Sequence, residues 1–193
     1  MNNILFLHAG AEMYGADKVM LDLIRRLDKN KYNPLVILPT DGVLVDELKK
    51  ENIKVVVMPY PIMRRRYFNL KGLIQYASGM FEYTNKITKI AKEQRINLIH
   101  TNTAATLEGS FVSKKLHIPQ LWSIHEIIVS PKIMYTVTSK LIAKYSSITI
   151  TDSKAVKDHL DASGYFKEDA VKVIYNGVDS NRFKPDNDCS YLY

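Results

Sequence analysis

Seven apolar runs, each four or five residues long and most of them rich in β-branched side chains, recur along this chain with helix-like periodicity between most of them. They fall at Ile4–His8, Leu35–Pro39, Val55–Met58, Leu98–Thr101, Leu121–His125, Ile148–Thr151 and Val171–Ile174. Strands that run the same way need long crossover connections, usually helical, so this alternation predicts a parallel sheet wrapped on both faces. The expected fold is α/β, a doubly wound, mostly parallel, Rossmann-like sheet of about seven strands. Helices are expected from Ala16 to Leu27, Val43 to Glu51, Leu70 to Glu93, Ala105 to Leu116, Ile133 to Lys144 and Ala155 to Ser163. In the first, Val19, Met20, Leu23, Ile24 and Leu27 form one apolar stripe; in the third, Leu70, Leu73, Ile74, Ala77, Met80 and Phe81 do the same. Both stripes read as core, and neither reads as a binding groove. Ser153 reads as a helix cap, with Asp152 complementing the helix dipole.

A length of 193 residues suits one domain, placed at residues 1–184. Residues 185–193, opening on the polar run Pro185-Asp186-Asn187-Asp188, read as the start of a linker or tail. Cys189 is the single cysteine, which excludes an internal disulfide and fits a reducing compartment, so a cytoplasmic location is expected. The segment Met1–Leu7 has neither the cationic start nor the long apolar stretch of a signal peptide, and no apolar run is long enough to span a bilayer.

In open parallel sheets, ligands bind beyond the carboxyl ends of the strands, near the point where strand order reverses. His8, His100 and His125 lie at or beside such ends, and with the first, fourth and fifth strands adjacent their rings converge on one crevice. Each alone also reads as a hydrogen-bonded structural histidine. A metal site is the competing explanation, and the lack of a close pair at helical spacing or a nearby cysteine argues against it. Between the first strand and first helix, Gly10 and Gly15 have the spacing of P-loop glycines. Ala16-Asp17 stands where the Lys-Ser/Thr pair is required, which argues against a P-loop NTPase, and no Gly-x-Gly-x-x-Gly is present. Small residues ahead of a helix still allow backbone amides to approach a phosphate.

Near the C-terminus, Val173-Ile174-Tyr175-Asn176-Gly177-Val178-Asp179 is followed by Asn181-Arg182-Phe183-Lys184-Pro185. Physically this is a strand, a turn that tolerates positive φ, and an exit ended by proline. The run resembles the segment that closes the first domain of family 4 glycosyltransferases with the GT-B fold. Three further stretches are similar to that family, one of them Ile99-His100-Thr101-Asn102-Thr103, which resembles its fourth strand and small polar loop. In Tyr14-Gly15-Ala16-Asp17-Lys18, Tyr14 stands in place of a second glycine and Asp17 in place of the usual Glu. Ser123-Ile124-His125-Glu126 has Glu126 where Asp is more usual. The resemblance implies that His125 lies in an interdomain cleft beside the donor sugar, where an imidazole can bond a sugar hydroxyl or stabilise developing charge. It makes Tyr14, Gly15, Asp17, His100, Asn102, Thr103 and Glu126 candidates for contacts to donor phosphate or acceptor.

By the same resemblance the complete enzyme moves a sugar from a nucleotide-diphosphate sugar to a saccharide or lipid-linked acceptor. Retention of configuration, no metal and no cofactor beyond the donor are implied, with a role in surface polysaccharide or glycolipid synthesis. The donor-binding second domain is missing from these residues, so the chain alone is expected to be inactive. The alternatives are a non-catalytic sugar- or lipid-binding module and half of a nucleotide-sugar epimerase; the Asn176-to-Pro185 ending argues for the transferase.

The net charge of +7 favours an anionic partner. Its densest cluster, Arg64-Arg65-Arg66-Tyr67-Phe68, suits an anionic membrane surface, with a solvated loop as the alternative. Peripheral attachment at the inner face of the membrane is the corresponding expectation. Nucleic acid is not expected, because no basic stripe interleaves with stacking aromatics elsewhere.

Overall fold

The computed structural model describes residues 1–177 and Ser180. Expectations resting on Val178, Asp179 and residues 181–193, including the linker and Cys189, lie outside the described residues. The seven strands are β1 (Asn2–Leu7), β2 (Tyr32–Leu38), β3 (Lys54–Val57), β4 (Leu98–Thr101), β5 (Gln120–Ile124), β6 (Ile148–Thr151) and β7 (Val171–Val173). The six helices are α1 (Gly15–Arg26), α2 (Val43–Lys50), α3 (Leu70–Glu93), α4 (Glu108–Leu116), α5 (Lys132–Tyr145) and α6 (Lys154–Asp161), with a 3₁₀ turn at Arg65–Tyr67. All strands pair in parallel in the order β3-β2-β1-β4-β5-β6-β7. The chain winds outward from β1 to β3, then crosses back to β4 and winds the other way. The order therefore reverses between β1 and β4.

β2 begins three residues before the expected Leu35 and includes Pro34. Pro34 pairs with Ile4 of β1, while β3 first pairs at Leu35, so the proline's missing donor faces no strand. α4 begins at Glu108, three residues later than expected. The loop before it is held to its surroundings instead, with the Ala105 carbonyl accepting the Met63 amide at 2.9 Å.

The helices divide unequally. α1 and α2 cover one face of β1 and β2 through Met20, Leu21, Ile24, Leu44 and Leu48 against Phe6, Val36 and Leu38. α3 to α6 cover the other face in two clusters, one around Leu5, Leu7, Ile37, Ile87 and Val112, the other around Trp122, Ile124, Ile142 and Leu160. Trp122 is fully buried, and its indole N–H donates to the Thr103 carbonyl at 2.6 Å.

The long helix departs from its reading as core. Leu70, Leu73, Ile74, Ala77 and Phe81 are exposed, and Met80 is half-buried. The buried residues of α3 are instead Gly72, Tyr76, Thr84, Ile87, Thr88 and Ala91. At about 1.5 Å per residue a 24-residue helix runs about 36 Å, whereas four-residue β4 spans about 13 Å. The C-terminal half of α3 lies over the sheet, and the apolar stripe of the first half continues past its support. In α1, Met20 and Ile24 are buried, Val19 and Leu27 are half-buried, and Leu23 is exposed, with Leu21 joining the core in its place.

Candidate active site

Four adjacent strands each deliver their first following residue to one edge of the sheet: His8 after β1, Asn102 after β4, His125 after β5 and Asp152 after β6. These residues form a chain of polar contacts. Asp152 Oδ2 lies 3.0 Å from His125 Nδ1, and His125 Nε2 lies 3.2 Å from Asn102 Oδ1. The Asn102 amide nitrogen lies 3.3 Å from His8 Nδ1 and donates to the Ala16 carbonyl at 3.3 Å. His8 Nε2 closes the chain on the Asp17 carboxylate. Asn102 thus joins His8 and His125, two of the three histidines expected to converge, and it ties both to the start of α1.

A carboxylate accepts, so Asp152 takes a proton carried on Nδ1 of His125; Asn102 Oδ1 also accepts, so the contact at Nε2 is a hydrogen bond only when that nitrogen carries a proton as well. From the sequence Asp152 reads as a dipole complement only. Ser153 does cap α6, its hydroxyl accepting the Val156 amide at 3.3 Å, which leaves the Asp152 side chain free to turn toward His125.

The loop ahead of α1 is fixed from two sides. Asp17 is buried, and its Oδ2 accepts the Tyr14 amide at 2.8 Å. Burial works against the ionised carboxyl, but the His8 bond and charge, with the Tyr14 and Met13 amides, outweigh it and hold Asp17 below its ordinary range. The backbone of His8 is held in turn by Tyr60, whose hydroxyl accepts the His8 amide at 3.3 Å and donates to Ile37 at 3.0 Å. Tyr14 projects into solvent, and a methyl group added at Gly15 would meet nothing within 4 Å.

His100 is buried beneath this edge, stacked on Phe6 at 4.9 Å between ring centres, with Nε2 2.8 Å from Ser123 Oγ. Burial, with His125 and His8 nearby, pushes it down to about 3, so the ring is neutral. Glu126 turns away from the edge: it accepts from Thr103 Oγ1 at 2.5 Å and from the Ala104 amide at 3.2 Å, pinning the loops after β4 and β5 together. Of the aromatic residues beside the arginines, Tyr67 is buried and Phe68 half-buried. Arg66 stacks over the Tyr67 ring at 4.8 Å and donates to its hydroxyl at 2.7 Å.

Asn102, His125 and Asp152 line a crevice of about 510 Å³. It extends across the face of β4 to β6 opposite the helices α4 to α6, with His100, Leu121 and Ile150 on its floor and Val19 and Leu23 of α1 as a wall. Among the described residues no group of three or more His, Cys, Asp or Glu side chains is placed to hold a metal ion.

A seven-stranded parallel sheet with reversed order, and polar groups gathered at the strand ends beside the switch point, is a Rossmann-like domain of the kind that forms one half of the GT-B fold. The sequence pattern of Glycosyltransferase Family 4 matches residues 13–182, and the chain belongs to that family. Among solved structures it is similar to Anabaena HepE in complex with UDP-glucose, at 26% identity and a TM-score of 0.74, over 100% of this chain and 49% of that one. A glycosyltransferase from Rickettsia africae matches at 22% identity and a TM-score of 0.73, over 99% of this chain and 47% of that one. The lipopolysaccharide outer core galactosyltransferase WaaB matches at 15% identity and a TM-score of 0.67, over 96% and 50% respectively, a likeness of fold alone. The chain spans about half the length of these neighbours. No curated protein sequence matches it.

Proposed function

We propose that the complete protein transfers a sugar from a nucleotide-diphosphate sugar to an acceptor hydroxyl with retention of configuration, and that this domain forms the acceptor side of the cleft. Membership of the family supports transfer, and the UDP-glucose complex of HepE supports the donor class. We place the reaction in the assembly of a surface polysaccharide or glycolipid. No metal or cofactor beyond the donor is called for, and transfer requires both halves of the cleft.

The observation that carries this reading is His125, set at a strand end with Nδ1 held by Asp152 and Nε2 directed toward Asn102 in the crevice. As the bond between sugar and phosphate breaks, positive charge develops on the sugar and negative charge on the leaving diphosphate. A fixed imidazole backed by a carboxylate can hold a sugar hydroxyl through that change without reorganising. Asn102 offers both an acceptor and a donor to the same substrate, and the first amides of α1 at Gly15 and Ala16 offer donors to an anionic group.

In the full-length enzyme, His125→Ala lowers turnover at saturating donor at least tenfold, about 1.4 kcal/mol of transition-state stabilisation. Asp152→Asn lowers it less, because the ring remains and only its orientation is loosened. Turnover at the wild-type level in His125→Ala assigns this ring a structural role and removes the basis of the proposal.

A further inference from the structure

Outside the crevice, the connection from β3 and the first half of α3 carry a surface that sugar transfer does not use. Residues 52–81 hold five basic side chains, Lys54, Arg64, Arg65, Arg66 and Lys71, and no acidic one. On the helix, Leu70, Leu73, Ile74, Ala77 and Phe81 fall within about 100° of arc at roughly 100° per residue. All five are exposed, Leu70 at 79%, Ile74 at 64% and Phe81 at 74%. Lys71 flanks the stripe, and Arg64 and Arg65 stand in solvent just ahead of it.

An apolar stripe of this width normally meets a partner. Its surroundings select one. A protein groove would have to match the stripe while supplying several carboxylates; an anionic bilayer supplies apolar depth and negative headgroups together. We propose that the first half of α3 lies in the surface of an anionic membrane, with Leu70, Ile74 and Phe81 at the acyl boundary and Arg64, Arg65 and Lys71 on lipid phosphates. No helix among the described residues is long and apolar enough to cross a membrane, which suits attachment along the surface. The inserting side chains are therefore those of α3, since Tyr67 is buried against Tyr76 at 5.2 Å between ring centres and cannot reach lipid. α3 starts at the same edge of the sheet that carries His125, so attachment brings the crevice close to the surface. The attachment does not rest on the transferase reading.

The test is flotation of the full-length protein with phosphatidylcholine vesicles and with vesicles containing 30% phosphatidylglycerol. Binding is expected to the second only, and to fall steeply in high salt. Replacing Arg64, Arg65 and Lys71 together by Ser lowers partitioning roughly a hundredfold at low salt, at about fivefold per basic side chain. The double variant Ile74→Ser/Phe81→Ser lowers it at least tenfold, and both variants keep the wild-type circular dichroism because the residues are exposed. Trp122 is fully buried, and Phe81→Trp adds a separate reporter, read as the difference in emission between this variant and the wild type, that shifts to the blue on binding anionic vesicles. Equal binding by wild type and both variants overturns the proposal. So does an emission from Phe81→Trp that is already blue without vesicles, which means the rest of the protein covers the stripe. A dimer that forms without lipid and dissolves in Ile74→Ser/Phe81→Ser overturns it in favour of a second copy.

Discussion

Glu108 opens α4 with its side chain fully buried. Its Oε2 accepts the Leu107 amide at 3.1 Å, and Oε1 has no hydrogen-bonding partner. A carboxylate at a helix N-terminus is favoured by the dipole, but here burial wins and pushes the group up to about 8 from an ordinary 4.5. The folded protein therefore keeps Glu108 protonated at neutral pH, while the unfolded chain releases the proton above about 4.5. The folded value is raised, so the stabilisation is fully present below the unfolded value and is lost as pH rises through the folded one.

At about 1.4 kcal/mol per unit, the difference between pH 5 and pH 8 comes to about 3 kcal/mol. Glu108→Gln keeps the shape and cannot ionise. It should match the wild type within about 1 kcal/mol at pH 5 and exceed it by about 3 kcal/mol at pH 8. With a urea slope of about 2 kcal/mol/M, the unfolding midpoints then separate by roughly 1.5 M at pH 8. Urea titrations at pH 5, 6.5 and 8 decide the matter. Parallel pH dependence in the two proteins means that Glu108 is ionised in the fold and that the argument from burial fails.

The start of α1 offers two further tests. Gly15→Ala places its methyl in open space, so thermal stability should hold or rise slightly, while affinity for donor or acceptor drops about tenfold wherever a ligand approaches that turn; unchanged affinity for both, by calorimetry, removes Gly15 from the site. Asp17→Asn takes the carboxylate from buried His8 and should cost about 1–3 kcal/mol at pH 7. Because Asp17 is held below its ordinary value of 3.8, the wild-type advantage is present above that value and is lost as the pH falls through the lower folded one. Equal denaturant midpoints at pH 7 assign no stabilising role to the pair.

The parallel sheet was legible because its central strands, buried on both faces, leave continuous apolar runs, while the less buried edge strands β3 and β7 remain readable as short β-branched runs. What periodicity reports is that a face is apolar, not what stands opposite. Met20 and Ile24 on α1 and Ile74 and Phe81 on α3 have the same pattern, yet the first pair is buried and the second is not. The difference lies in the length of α3 relative to the sheet beneath it. At the site, strand ends were enough to single out His8 and His125, because the strand order follows from the alternation and the crevice from the order; the same reasoning also drew in His100, which is buried beneath the edge, and Asn102 was legible only through the family resemblance. Asp152 occupies the equivalent position after β6, but its place before a capping serine is already a sufficient local explanation for it. Glu108 left no signal for the same reason, an acidic residue in a first helical turn being ordinary. A sufficient local explanation does not exhaust a side chain. Ser153 caps the helix alone, and the carboxylate beside it is thereby available to the ring one strand away. In a fold that delivers one residue per strand to a common edge, the first residue after each central strand should be weighed for the site before its local role is accepted.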